Sequence, residues 1–121
     1  MLKSLYISNY ALIDKLNIEF SNGFSAITGE TGAGKSILIG ALSLILGKRA
    51  DSTVLFNKES KCVVEGIFDI SNLDLKVFFE NNELDYDEQT ILRREIAVNG
   101  KSRAFINDTP VKSSTLKEIG N

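Results

Sequence analysis

The sequence predicts an α/β fold: a mixed sheet around one buried helix, with an antiparallel strand-rich flank. Three observations carry this prediction. Several short segments alternate polar and apolar residues with the period of a half-buried strand. One apolar run, Lys35 to Leu46, is too long for a buried strand and reads as a helix. Two Asn-Gly pairs, Asn22-Gly23 and Asn99-Gly100, stand between such segments as hairpin turns.

The elements follow in chain order. Leu2 to Asn9 reads as a strand with Leu5 and Ile7 on one face. Lys15 to Ser21 places Leu16, Ile18 and Phe20 on one face and Lys15, Asn17, Glu19 and Ser21 on the other. Asn22-Gly23 then turns into a third strand, Phe24 to Thr28. The helix that follows the glycine-rich stretch Gly29 to Gly34 is apolar on all sides, which predicts burial all round. Gly47 stops it, with Lys48 and Arg49 at the negative end of its dipole.

Lys61 to Ile70 alternates again, with Cys62, Val64, Phe68 and Ile70 sharing a face. Ser71-Asn72-Leu73-Asp74 has the spacing of a capping box for a short helix reaching about Phe79. Thr90 to Val98 and Arg103 to Asn107 are paired strands across Asn99-Gly100, and Asn107-Asp108-Thr109-Pro110 is a further turn. Ser113 to Ile119 closes the chain as a helix, with Thr115 and Glu118 spaced as a capping pair.

Composition bounds the function. The chain has 121 residues, one domain at most. Lys and Arg number 14 against 16 Asp and Glu, a net charge of -2, so this is no uniformly basic DNA-coating protein. There is no His, which removes His-based acid–base chemistry and His metal ligation. The single Cys62 forms no internal disulfide and builds no thiolate metal site; it reads as a small buried apolar residue. This cysteine usage fits a reducing cytoplasm. The apolar stretch Ile37 to Leu46 falls short of the roughly 20 residues that span a bilayer, and the first ten residues have no signal-peptide character.

Gly29-Glu30-Thr31-Gly32-Ala33-Gly34-Lys35-Ser36 matches G-x-x-x-x-G-K-[ST], the phosphate-binding P-loop. The glycines let main-chain N–H groups approach phosphate oxygens. Lys35 supplies an ammonium for the β and γ phosphates, and the Ser36 hydroxyl can ligate Mg²⁺. The helix beginning near Lys35 points its positive end at the same place. A chance match in a chain of this size arises roughly a few times in a thousand, and the strand–loop–helix context lowers that further. Hydrolysis also needs a carboxylate that organises Mg²⁺ and a group that positions water. No apolar strand downstream of the loop ends in such a carboxylate.

MLKSLYISNYALIDKLNIEF, GETGAGKSILIGALSLILGKRAD and LRREIAVNGKSRAFINDTPV together resemble the amino-terminal segment of the RecN family of bacterial DNA-repair ATPases. That family is similar to the structural-maintenance-of-chromosomes (SMC) ATPases within the ABC-type class of P-loop NTPases. The resemblance runs over nearly the whole chain. It implies that residues 1–121 are the amino-terminal lobe of a split ATPase head, truncated before a coiled coil and a carboxy-terminal lobe. That second lobe carries the signature motif, the Mg²⁺ carboxylate and the catalytic Glu. The implied cofactors are ATP and Mg²⁺, held by Gly29, Thr31, Gly32, Ala33, Gly34, Lys35 and Ser36. The implied partners are DNA, the carboxy-terminal lobe of its own head and a second head engaged on ATP binding, with no membrane. The implied setting is double-strand break repair by recombination, cytoplasmic and nucleoid-associated, with the isolated chain inactive as an ATPase. Asp108 departs from the glycine expected in the FING-like stretch.

Other residues bear weaker readings. Arg93, Arg94, Lys101 and Arg103 surround the Asn99-Gly100 hairpin and are candidates for DNA phosphate contact, or a charged hairpin that blunts a sheet edge. Tyr10 is placed either near the adenine or in ordinary packing. Asn57-Lys58-Glu59-Ser60 lacks the carboxylate of the guanine-reading N-K-x-D motif. From the residues alone, two alternatives to the ATPase lobe stay open: a P-loop kinase fragment, and a non-enzymatic DNA-binding or interaction module. Heptads or further βα units beyond Asn121 discriminate between the ATPase lobe and the kinase.

Overall fold

The computed structural model describes residues 2–20 and 32–120, with side chains from 2–20 and 36–119. Its frame is a six-stranded sheet in the order β2-β1-β3-β4-β5-β6, antiparallel at every pairing among the described residues. The strands are β1 (Leu2–Tyr10), β2 (Ile13–Glu19), β3 (Cys62–Asp69), β4 (Gln89–Ile96), β5 (Ser102–Ile106) and β6 (Thr109–Val111). Helices α1 (Gly32–Ile45), α2 (Lys76–Asn81) and α3 (Ser113–Gly120) complete the fold, with a 3-10 turn at Ser52–Val54. The expected hairpin Asn22-Gly23 and strand Phe24–Thr28 lie outside the described residues.

Alternation along the strands decides which side chains meet α1. Leu5 and Ile7 of β1 pair with Gly66 and Val64 of β3, and those with Leu92 and Arg94 of β4. Leu5, Ile7, Val64 and Cys62 are wholly buried, as the sequence pattern requires. Each apolar side chain of this size contributes about 1.5–3 kcal/mol on full burial. Gly66 sits directly beneath the helix. A Cβ there would come within 2.6 Å of the Ile45 Cδ1 and 2.9 Å of the Phe68 ring, so the bare backbone admits α1 to the sheet.

The structure corrects the reading of α1 as buried on all sides. Leu38, Ala41, Leu44 and Ile45 face the sheet, but Ser36 and Ile39 are exposed. A helix laid on one face of a single sheet has one buried stripe. The helix stop at Gly47 holds. Gly47 has φ +98, its N–H donates to the Leu44 carbonyl (3.1 Å), and the Lys48 N–H donates to the Ser43 carbonyl (3.0 Å). These two bonds form a Schellman cap.

Two cap readings fail. Asp69 captures Ser71 instead, its Oδ1 accepting from the Ser71 N–H (3.0 Å) and Oγ (2.7 Å). The chain therefore turns locally at 69–71, and α2 starts later, at Lys76, after Leu75 and without a side-chain cap. Thr115 and Glu118 lie inside α3, which begins at Ser113, so they do not cap it.

Both hairpins of the second half form, with different turns. Around Asn99-Gly100, the Ala97 N–H donates to the Lys101 carbonyl and the Gly100 N–H to the Ala97 carbonyl. Gly100 alone takes positive φ (+87) there, which is a three-residue loop closed by a glycine bulge. At Asn107-Asp108 both residues take positive φ (+48 and +69), the signature of a two-residue type I′ turn. Asp108 thus occupies the place where glycine is easiest.

Candidate functional site

The P-loop enters the structure at its end. Helix α1 starts at Gly32, inside the G-x-x-x-x-G-K-S motif, so Gly32, Ala33, Gly34, Lys35 and Ser36 form its first turns. Gly29 and Thr31 lie outside the described residues. Three features of this helix suit a bound phosphate. It has 14 residues, its first turn contains no acidic residue that would quench the dipole, and Ser36 is exposed there. The helix is anchored against β3, β4 and β1 by its buried stripe, Leu38, Ala41, Leu44 and Ile45. Among the described residues no group of three or more His, Cys, Asp or Glu could hold a metal ion. Ser36 is the metal-ligand candidate that the sequence motif names. Tyr10 places its hydroxyl against the middle of α1, where a Cβ on Gly40 would lie 2.5 Å from it. Burial there raises the Tyr10 pKa, with a smaller contribution from Cys62.

The four arginines and lysines proposed as a DNA-facing cluster are not brought together. Neighbours on a strand point to opposite faces, so Arg93 and Arg94 separate. Arg93 lies on the outer face in an ion-pair chain, bonded to Glu65 (2.9 Å) and Glu95 (2.7 Å), with Lys61 completing it at 3.4 Å from Glu95. Two cations and two carboxylates leave that chain neutral. Desolvation opposes the charged form of Arg93, but its bonds to Glu95 and Glu65 outweigh this and raise its pKa. Arg94 turns inward and is buried at 2% exposure. Its Nη1 donates to the Leu44 and Lys48 carbonyls, each at 2.8 Å, and its Nε to the Ser102 Oγ at 2.6 Å. Arg94 is thus the cation that meets the carboxyl end of α1, the part assigned by sequence to Lys48 and Arg49. Lys101 and Arg103 are exposed, at the hairpin and on β5.

Sequence reasoning missed Asn9. This buried residue ends the inner row of β1 with φ +57. Its Nδ2 donates to the carbonyls of Asn57 (2.9 Å), Ser60 (2.7 Å) and Lys61 (3.3 Å), and its Oδ1 accepts from the Asn57 N–H (2.5 Å). One amide therefore folds the 57–61 loop against the end of β1. A polar residue closing an otherwise apolar row was the available signal.

A helix that starts within a G-x-x-x-x-G-K-S motif and lies on an antiparallel sheet defines a class: an α/β lobe of the P-loop ATPase type. Known proteins agree. Residues 4–121 match the family described as "AAA domain". The DNA repair protein RecN of Vibrio cholerae is 46% identical over 121 residues, covering 99% of this chain and 22% of that protein. RecN of Bacillus subtilis is 40% identical over 122 residues, covering 99% and 21%. Among solved structures, an SMC ATPase from work on ATP-driven dimerization and DNA-stimulated activation superposes with TM-score 0.75 at 21% identity, covering 98% of this chain and 76% of that one. The SMC head domain of Thermotoga maritima superposes with TM-score 0.63 at 18% identity, covering 98% and 41%. The chain belongs to the AAA domain family. It spans about a fifth of the length of the RecN relatives it matches.

Proposed function

We propose that residues 1–121 are the nucleotide-binding lobe of an ATPase head that acts in DNA double-strand break repair and recombination. The observation that carries this reading is the start of α1 within the P-loop motif, on a sheet of SMC-head type. The backbone of Gly29, Thr31, Gly32, Ala33 and Gly34 would cradle the phosphates of ATP, Lys35 would neutralise the β and γ oxygens, and Ser36 would hold Mg²⁺. A metal held by Ser36 would supply charge neutralisation for the bound phosphates. The lobe's own contribution is binding and orientation: N–H donors, a helix dipole and one ammonium.

The remaining chemistry belongs to a carboxy-terminal lobe and to a second head drawn in by ATP. Binding therefore precedes turnover in this scheme, and the 121-residue chain binds Mg²⁺-ATP without hydrolysing it. The location that follows from DNA repair is the nucleoid. Calorimetric titration of Mg²⁺-ATP into the chain and into Lys35→Ala, with phosphate release followed in parallel, tests the proposal. Binding lost in the variant and no release in either supports it. Equal binding in both chains contradicts the site, and robust release by the parent chain contradicts the division of labour.

A further inference from the structure

A cleft of about 1070 Å³ opens at the far end of α1 from the P-loop, roughly 20 Å away at 1.5 Å per residue. Its walls come from the 47–54 segment, the β4–β5 hairpin, β6 and the start of α3. Arg49, Arg94, Lys112 and Lys117 line it, against one carboxylate, Asp51. This places four cations around one concavity in a chain whose net charge is -2. None of the four takes part in the ion pairs found among the described residues. Asp51 is already engaged, its Oδ1 accepting from the Thr53 N–H (2.9 Å) and Oγ1 (2.5 Å).

Arg94 is the second observation. It is buried, and every protein group bonded to it is neutral: two carbonyls and a hydroxyl. Those bonds use Nε and Nη1, no hydrogen bond of Nη2 is found among the described residues, and Arg94 itself lines the cleft. Burial lowers its pKa with no carboxylate to offset the cost, in contrast to Arg93 next to it. A buried guanidinium lacking an anionic partner is expensive, and an anion entering this cleft would relieve that cost. The guanidinium fork matches phosphate oxygens geometrically. Ser113 brings the amino-terminal end of α3 to the same wall.

We infer that this cleft is a phosphate-group site, distinct from the P-loop, built by Arg94, Arg49, Lys112 and Lys117. The same chemistry is presented by a DNA backbone phosphodiester and by free phosphate. The test is an amide-resolved NMR titration of the chain carrying Lys35→Ala, which silences the P-loop and separates the two sites. Inorganic phosphate and a short DNA duplex are added in separate arms. The expected result is a shift of the Gly47, Gly100 and Ser113 amides, with at least tenfold weaker binding in Arg49→Glu/Lys112→Glu. Both residues are exposed, and Lys117→Gln, which keeps its aliphatic stem, is the milder second variant.

In the DNA arm, removing two cations lowers the slope of log affinity against log salt by about two. Shifts in both arms identify the DNA backbone as a source, and shifts with phosphate alone identify the free ion. Unmoved cleft amides in both arms, or unchanged affinity after charge reversal and in Lys117→Gln, would overturn the inference. Failure of ATP binding at the P-loop has no bearing on these readings.

Discussion

Lys117 lies directly on Gly47. A Cβ built on Gly47 would stand 2.5 Å from the Lys117 Cγ, 2.8 Å from its backbone nitrogen and 2.7 Å from the Ser113 carbonyl oxygen. The residue that ends α1 is thus also the floor on which α3 rests. Its φ of +98 adds a second demand for glycine. Gly47→Ala combines a left-handed strain of about 1 kcal/mol with an overlap against backbone that costs about 1–3 kcal/mol. Urea denaturation should show a loss of at least about 2 kcal/mol, with earlier exchange of the α3 amides.

Asn9 ties down the 57–61 segment with four hydrogen bonds from one buried amide. Asn9→Ala leaves those groups unpaired and should cost about 2–4 kcal/mol. Asn9→Asp removes the donor and turns an anion toward three carbonyl oxygens, so it should cost at least as much. Hydrogen exchange resolved by segment checks this: amides at 57–61 should lose protection first in both variants.

How much of this was legible in the sequence depended on the range of the interaction. Leu5, Ile7, Cys62 and Val64 were placed correctly because period-two alternation is local. The stop at Gly47 was also local. The Ser71 cap failed because Asp69, two residues earlier, competes for the same hydroxyl and N–H. The fates of Arg93 and Arg94 depend on partners 28 and 50 residues away, so a cluster in sequence became two unrelated sites in space. The P-loop was legible as a motif because its chemistry is encoded in consecutive residues. The cleft around Arg94 was not, because its walls come from segments far apart in sequence.

Asp108 sits exposed in the type I′ turn at φ +69 with glycine the easier occupant. Asp108→Gly should stabilise the chain by roughly 0.5–1 kcal/mol, read as a higher urea midpoint with an unchanged slope. Asn107 should not tolerate the same exchange. Its Oδ1 accepts from the Ile91 N–H at 2.8 Å, a bond that glycine cannot make.

Cys62 is wholly buried, and burial pushes its thiol up to about 11, above the ordinary value of about 8.5. The folded state therefore keeps a proton that the unfolded state releases. The associated stability is complete below about pH 8.5 and is lost progressively as pH rises toward about 11, on the order of 3 kcal/mol in all. Tyr10 shifts in the same direction and adds to the decline above about pH 10. Urea unfolding at pH 8, 9 and 10 should show this fall, shallower in Cys62→Ala. The native thiol should resist alkylation at pH 8 until the chain unfolds.

The central claim is that the turn leading into α1 grips the phosphates of ATP. Its most direct test is calorimetric titration of Mg²⁺-ATP into the parent chain and into Lys35→Ala, with their unfolding curves matched. Saturable binding by the parent chain that disappears in a variant of unchanged stability is the predicted result. Equal affinity in the two folded chains would contradict it.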